Sequence, residues 1–218
     1  MKKAVIIILL ILLLDQALKF FVKTTMSLGS SHSIFGNWFY INFTENEGMA
    51  FGMKLGGNFG KLFLSLFRII AVIIIGWWLS KIVKQNGNTG LIVCISLIMA
   101  GAIGNIIDSM FYGLIFNDPV GVCVNQVATL FPKEGGYAGF LHGKVVDMLY
   151  FPVIRTHFPS WFPFYGGEEF EFFRPIFNIA DSSITIGVTM LILFQRKFFK
   201  PRQEISHAGL EQKEEQTR

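Results

Sequence analysis

Apolar residues gather into four long runs, at 4–22, 62–83, 91–112 and 181–199, separated by two long mixed stretches and one short polar turn. A helix needs about 20 residues to cross a hydrocarbon core about 30 Å thick, and each run meets that length. The pattern predicts an all-α membrane protein with four transmembrane helices. The first run opens on Met1-Lys2-Lys3, as a cleavable leader would. No small-x-small cleavage site follows, however, and Asp15-Gln16-Ala17-Leu18-Lys19 carries the helical pattern on into Phe20-Phe21, so the run is read as an uncleaved span. Within the stretch 23–61, residues 33–43 are aromatic and β-rich around Gly36-Asn37, which predicts a small antiparallel sheet. The stretch 113–180 is rich in Phe, Pro and Gly. Phe131-Pro132, residues 158–165 and Phe172-Phe173 are too apolar to stay solvated and are expected to rest on the bilayer. Residues 203–218 read as a polar, disordered tail, which leaves 1–202 as one membrane domain.

Charge orients these spans. Lys2 and Lys3 precede the first, Lys81 and Lys84 flank the turn between the second and third, and Arg196, Lys197, Lys200 and Arg202 follow the fourth. Alternating spans bring all three clusters to one face, which the positive-inside rule makes cytoplasmic. Both termini are then cytoplasmic, and 23–61 and 113–180 are outer loops.

This topology collects acids at the outer interface. Asp15 lies in the outer half of span 1, Asp108 near the outer end of span 3, Asp181 at the start of span 4, and Asp147 in an outer loop. Glu45 lies beside Asn46 in the first loop. Ionisable groups at membrane depth are costly, so several meeting at one depth point to function. Gly101, Gly104, Asn105, Asp108 and Tyr112 share one face of span 3. Asn178, Asp181, Ser182, Thr185 and Thr189 form a polar stripe on span 4. Asp15 and Lys19 are one helical turn apart and are read as a structural ion pair.

Composition narrows the classes. Of 218 residues 52% are hydrophobic and only 16% charged, which excludes a soluble domain. The net charge of +4 includes no block of Lys and Arg that would grip nucleic acid; Lys61, Lys81, Lys84 and Lys197 are scattered. Two cysteines, Cys94 and Cys123, make no disulfide framework, and the four histidines have no zinc spacing. No metal or cofactor is expected.

Five phrases, in order along the chain, resemble lipoprotein signal peptidase (signal peptidase II), a bacterial inner-membrane aspartic peptidase. They are Asp15-Gln16-Ala17-Leu18-Lys19, Asn46-Glu47-Gly48-Met49-Ala50-Phe51, residues 101–108 ending in Asn105-Ile106-Ile107-Asp108, Val145-Val146-Asp147, and Phe177-Asn178-Ile179-Ala180-Asp181. The resemblance implies cleavage of prolipoproteins just before a cysteine that carries a diacylglyceryl group. It makes Asp147 and Asp181 the catalytic pair and has Asn46, Gly48, Asn105, Asp108, Asn178 and Ala180 line the substrate site. The outer sheet becomes a cradle over that site. Membrane lipid is the surrounding partner, cyclic peptides such as globomycin the expected inhibitors, and a monomer the expected state. Two departures stand out. Ser109 follows Asp108 where the family usually has Arg, leaving Lys19 or Lys144 as substitutes. Residues 114–142 form an insertion before Val-x-Asp in the outer loop, whose role the sequence leaves open; as an accessory surface loop it would be dispensable for the chemistry. The alternative from the residues alone is a small proton-coupled transporter subunit, whose acids would be spread toward mid-membrane rather than gathered at one edge.

Overall fold

The computed structural model describes residues 1–47, 57–118 and 126–199. Four long helices carry the fold: α1 (Lys2–Thr25), α2 (Gly57–Lys84), α3 (Thr89–Ile107) and α5 (Ile179–Phe198). Beyond α3 the chain widens through one π turn, Asp108–Tyr112, and ends in a short piece, α4 (Gly113–Ile115). Among the described residues three helical stretches are long and apolar enough to cross a membrane: Lys2–Thr25, Phe59–Lys84 and Thr89–Ile115. The third is half buried, against 17% and 11% for the others, so α3 is the central helix. Val5, Leu9, Leu13 and Phe21 on α1, and Phe63, Phe67, Ile70 and Trp77 on α2, are exposed apolar faces. In water they would be untenable; against lipid they are the natural outer surface.

Small residues set how closely α5 approaches α3. A Cβ added at Gly101 would lie 2.2 Å from the Ala180 carbonyl oxygen, and one at Gly187 would lie 2.8 Å from the Cys94 carbonyl oxygen. Backbone meets backbone here, so neither contact can yield by a rotamer change. Gly101→Ala is therefore expected to destabilise the protein by about 1–3 kcal/mol. Thermal unfolding in detergent checks this, with Gly139→Ala as the control, since its Cβ would meet nothing within 4 Å.

The stretches between α1 and α2 and between α4 and α5 fold into two small sheets. The first has four antiparallel strands in the order β1-β2-β3-β6: β1 (Ser31–Phe35), β2 (Phe39–Asn46), β3 (Val145–Tyr150) and β6 (Ile176–Phe177). The second is the hairpin of β4 (Ile154–His157) and β5 (Glu169–Phe172). Asp147, expected in a loop, instead lies inside β3, paired with Thr44 of β2. The reason is alternation: Val146 and Met148 are fully buried in the core beneath the sheet, while Asp147, between them, points to the other side. The turn of the β1–β2 hairpin places Gly36 at φ 49°, a conformation that favours glycine.

The insertion, whose role the sequence leaves open, packs against the rest of the fold. In its described residues, 114–118 and 126–142, it packs into the core: Phe116 and Ala128 are buried with Val22, Met26, Phe43, Tyr112, Val146 and Met148. The Ala128 N–H donates to the Lys23 carbonyl at 3.3 Å, and the Tyr137 N–H to the Phe116 carbonyl at 2.9 Å. A Cβ at Gly136 would lie 2.1 Å from the Gly113 carbonyl oxygen. An apolar insertion that closes over an open core edge gains more by packing than by remaining solvated. The aromatic tip of the β4–β5 hairpin behaves differently. Phe158 packs on Phe162, Tyr165 and Phe170, yet Trp161 is 77% and Phe164 96% exposed.

Candidate active site

Helix α1 brings three polar side chains to the outer end of the helix group. Asp15 and Lys19 are both buried, with Lys19 Nζ 2.9 Å from Asp15 Oδ2 and 2.8 Å from Asp108 Oδ2. Lys19 also donates to Asn105 Oδ1 at 3.0 Å. Gln16 joins the same cluster: its amide donates to Asp108 Oδ1 at 2.9 Å, while its oxygen accepts from the Tyr112 hydroxyl at 3.2 Å. Asp108 completes its bonding by accepting from the Val146 N–H at 3.3 Å, which ties α3 to β3. The Ser109 hydroxyl donates to the Asn105 carbonyl of its own helix at 3.0 Å, and Ser109 contributes no charge.

Two asparagines connect this base to the carboxylates above it. Asn105 turns its oxygen toward Lys19 and so presents Nδ2 to Asp181 Oδ1, at 2.8 Å. Asn178 is the N-cap of α5: its oxygen accepts from the Asp181 N–H at 2.8 Å, and Asp181 reaches back to the Asn178 N–H at 3.4 Å. This reciprocal pair is a capping box, built from Asn and Asp. The Asn178 amide donates to Asp147 Oδ1 at 2.8 Å and also lies 3.2 Å from Asn105 Oδ1. One side chain thus holds Asp147 and starts the helix that carries Asp181. Asn46, at the end of β2, donates to Asp147 Oδ2 at 3.4 Å. Ala180 is fully buried, and its N–H donates to Asp15 Oδ1 at 2.9 Å.

Asp147 and Asp181, each bonded to one of the two asparagines, are close enough to interact as charges. Burial first, and the negative charge of Asp181 second, push the Asp147 carboxyl up to about 7. Asp147 is only 4% exposed. A carboxyl raised toward neutrality in this way can hold a proton, give it up and recover it during a reaction.

The structure brings Asp15, Lys19, Asn46, Asn105, Asp108, Asp147, Asn178, Ala180 and Asp181 together. Gly48 lies outside the described residues, as do Met49-Ala50-Phe51, Cys123 and the tail 203–218. Glu45 is separate from this group. It pairs with Lys23 and, at 3.4 Å, with Lys144, which in turn meets Asp118 at 2.8 Å. Lys144 is therefore bound into the insertion rather than standing beside Asp108. Gln16 escapes sequence reasoning, though it adjoins Asp15 in the same phrase. Among the described residues no group of three His, Cys, Asp or Glu has the arrangement of a metal site.

Acids held by amides at the ends of apolar helices define the class: a membrane protein with an aspartate-centred polar site. The family model described as signal peptidase (SPase) II matches residues 7–197. A lipoprotein signal peptidase of Porphyromonas gingivalis is 54% identical over 188 residues, covering 86% of this chain and 80% of its own. One of Amoebophilus asiaticus is 36% identical over 194 residues, covering 87% and 76%. A solved structure, described as a bacterial membrane enzyme determined by the in meso method at 2.3 Å, superposes with a TM-score of 0.57 at 27% identity, covering 94% of this chain and 96% of that one. The chain belongs to the signal peptidase II family and is an aspartic peptidase of the membrane.

Proposed function

We propose that this peptidase removes the signal peptide from diacylglyceryl-modified prolipoproteins, cutting before the lipidated cysteine with water activated between Asp147 and Asp181. The observation that carries the reading is the double hold of Asn178, whose amide donates to Asp147 while its oxygen accepts from the Asp181 backbone. Two carboxylates that share one proton are the working unit of aspartic proteases in general: like charges so close do not both ionise.

Roles follow from the surroundings. Asp181 accepts from the Asn105 amide and from a backbone N–H at the positive end of α5, a setting suited to a carboxylate that takes a proton from water. Asp147, raised toward neutrality, carries the shared proton. The water oxygen adds to the scissile carbonyl carbon as its proton passes to Asp181 and the Asp147 proton passes to the carbonyl oxygen. In the gem-diol the nitrogen then takes the proton from Asp181, the C–N bond breaks, and a diol hydroxyl returns its proton to Asp147. The products are a carboxylic acid and the free amine of the cysteine, with both aspartates restored. Asn46, Gly48, Asn105, Asp108, Asn178 and Ala180 line the peptide path in this reading. Asp15 and Lys19 brace its floor.

The same reading makes α5 the fourth span, residues 1–202 one membrane domain and β1-β2-β3-β6 a cradle at the outer face of the cytoplasmic membrane, with both termini inside. Ile192, Leu193 and Phe194 are exposed on α5 and support lipid contact there. The acyl chains of the substrate stay in lipid between helices, where each buried CH₂ contributes about 0.8 kcal/mol. The protein acts as a monomer, and globomycin-like cyclic peptides compete for the peptide path. Convergence of the acids at one level argues against the proton-coupled transporter.

The test is cleavage of a lipidated precursor by the purified protein in detergent, with and without chelator. Cleavage before the lipidated cysteine at the same rate in EDTA is the expected result. Loss in EDTA with rescue by zinc, or no cleavage of any lipidated precursor, would overturn the reading.

A further inference from the structure

Arg68 is an arginine within an otherwise apolar stretch of α2, and the mechanism above does not use it. A charge inside a span needs a reason. Its helix face supplies one. Lys61, Ser65, Leu79 and Ile82 are buried and Arg68 half-buried along one side of α2, whereas Phe63, Phe67, Ile70 and Trp77 are exposed on the other. The three-and-four spacing puts Arg68 on the inward side.

Two contacts fix its depth. Gly76 of α2 faces the Met99 side chain of α3, whose terminal methyl would lie 3.2 Å from an added Cβ. The helices are antiparallel, so stepping outward from Gly76 to Arg68 matches an equal step from Met99 to Ile107, the neighbour of Asp108. Ser65, one turn further out, donates to the Leu141 carbonyl at 3.1 Å, and the nearby Gly143 N–H donates to the Ser109 carbonyl at 2.8 Å. Arg68 is thus held between the Met99 level and the Ser109 level, at the depth of the acids. Its electrostatic neighbours are Asp181, Asp108 and Asp147.

We propose that Arg68 is the counter-charge of the aspartate pair, a positioning residue entering from α2 that holds the pair in its singly ionised form. The proposal rests on the Asp147–Asp181 reading. Lys19, the other cation of the site, also acts on the charge of Asp147, but its ammonium is bonded to Asp15 and Asp108, and Ser109 brings none. The charged groups on the packed elements are then accounted for. Asp15 and Lys19 come from α1, Asp108 from the end of α3, Asp147 from β3 and Asp181 from α5. Lys61, further out on α2, faces Glu45, Glu47 and Lys144 instead.

A cation beside the pair favours its negative form. Removing the cation raises both macroscopic ionisations of the pair, so the acid limb of the rate profile moves to higher pH. The experiment is the pH dependence of kcat and KM for cleavage of a lipidated precursor by the full-length protein in detergent, with thermal unfolding measured in parallel. Arg68→Gln is expected to fold, to shift the acid limb upward by about one unit, and to lose about 100-fold in kcat with a smaller change in KM. Arg68→Lys, which keeps the charge, should leave the limb near the wild-type position and recover at least about tenfold of the loss. If Arg68→Gln does not fold, Arg68→Met, better suited to an apolar helix, is read in the same way. A folded neutral variant with wild-type kcat and an unmoved limb overturns the proposal. A wild-type profile with no ionisation near neutrality would instead sink the aspartate-pair reading itself, so the two failures are distinct.

Discussion

Asp147→Asn and Asp181→Asn are each expected to lower cleavage of a lipidated precursor by at least about 10³-fold, because asparagine fills the space but cannot exchange the proton. The double variant should be hardly slower than either single one, since the carboxylates act as one unit and their effects do not add. A purely structural role for Asp147 predicts the same loss through unfolding, and stability separates the two. The Asp147 carboxyl sits at about 7 in the folded protein, against about 4 for a free aspartate. Between those values the folded chain binds more protons than the unfolded one, so its stability falls as pH rises. The stability is fully present below the unfolded value and is lost progressively as pH rises toward the folded one. Asp147→Asn removes that loss, at the expense of the bond accepted from the Asn46 amide. The variant should therefore be inactive and, at pH 8, no less heat-stable than the wild type, with a flatter dependence on pH. A folded variant that cleaves near the wild-type rate would end the catalytic assignment; a variant that unfolds at every pH would leave Asp147 as a structural group.

Lys19→Met should produce the largest loss of stability. Lys19 is fully buried and neutralises Asp15 and Asp108 together, while it also orients Asn105. Methionine matches its stem but leaves two buried carboxylates facing each other, a change that typically costs about 3–5 kcal/mol. For a chain of this size the thermal midpoint should fall by about 10 °C. Adding Asp15→Asn to the same variant should restore part of that loss, because one of the two unmatched charges has gone. Cleavage should stay low in both, since Asn105 no longer has a cation to fix which way its amide points. No recovery in the double variant would mean that packing of the Lys19 stem, rather than charge, is what α1 contributes.

Much of this was legible in the sequence, and the reasons differ from element to element. The spans can be read because lipid demands long apolar helices, and Asp15, Asp108, Asp147 and Asp181 stand out because a carboxylate there is costly. Asp147 reads as a loop residue because one acid breaks the apolar run of Val145-Val146 and Met148-Leu149. The strand is visible only once alternate residues are assigned to opposite faces. The role of the insertion stays open in the sequence because its fit depends on backbone contacts, such as Gly136 against Gly113, that leave no trace in composition. Arg68 carries the same cue as the acids, a charge inside an apolar run, and a reading confined to carboxylates passes over it.

The bond from the Ala180 N–H to Asp15 joins the first helix of the chain to the start of the last. During synthesis the earlier spans are made well before that partner exists. A ribosome-bound chain that has not yet delivered α5 lacks Asp181, Asn178 and the donor for Asp15 at once. In the proposed mechanism the hydrolytic centre is therefore closed by α5, the last of the described helices, and a copy cut short before α5 is expected to be inert.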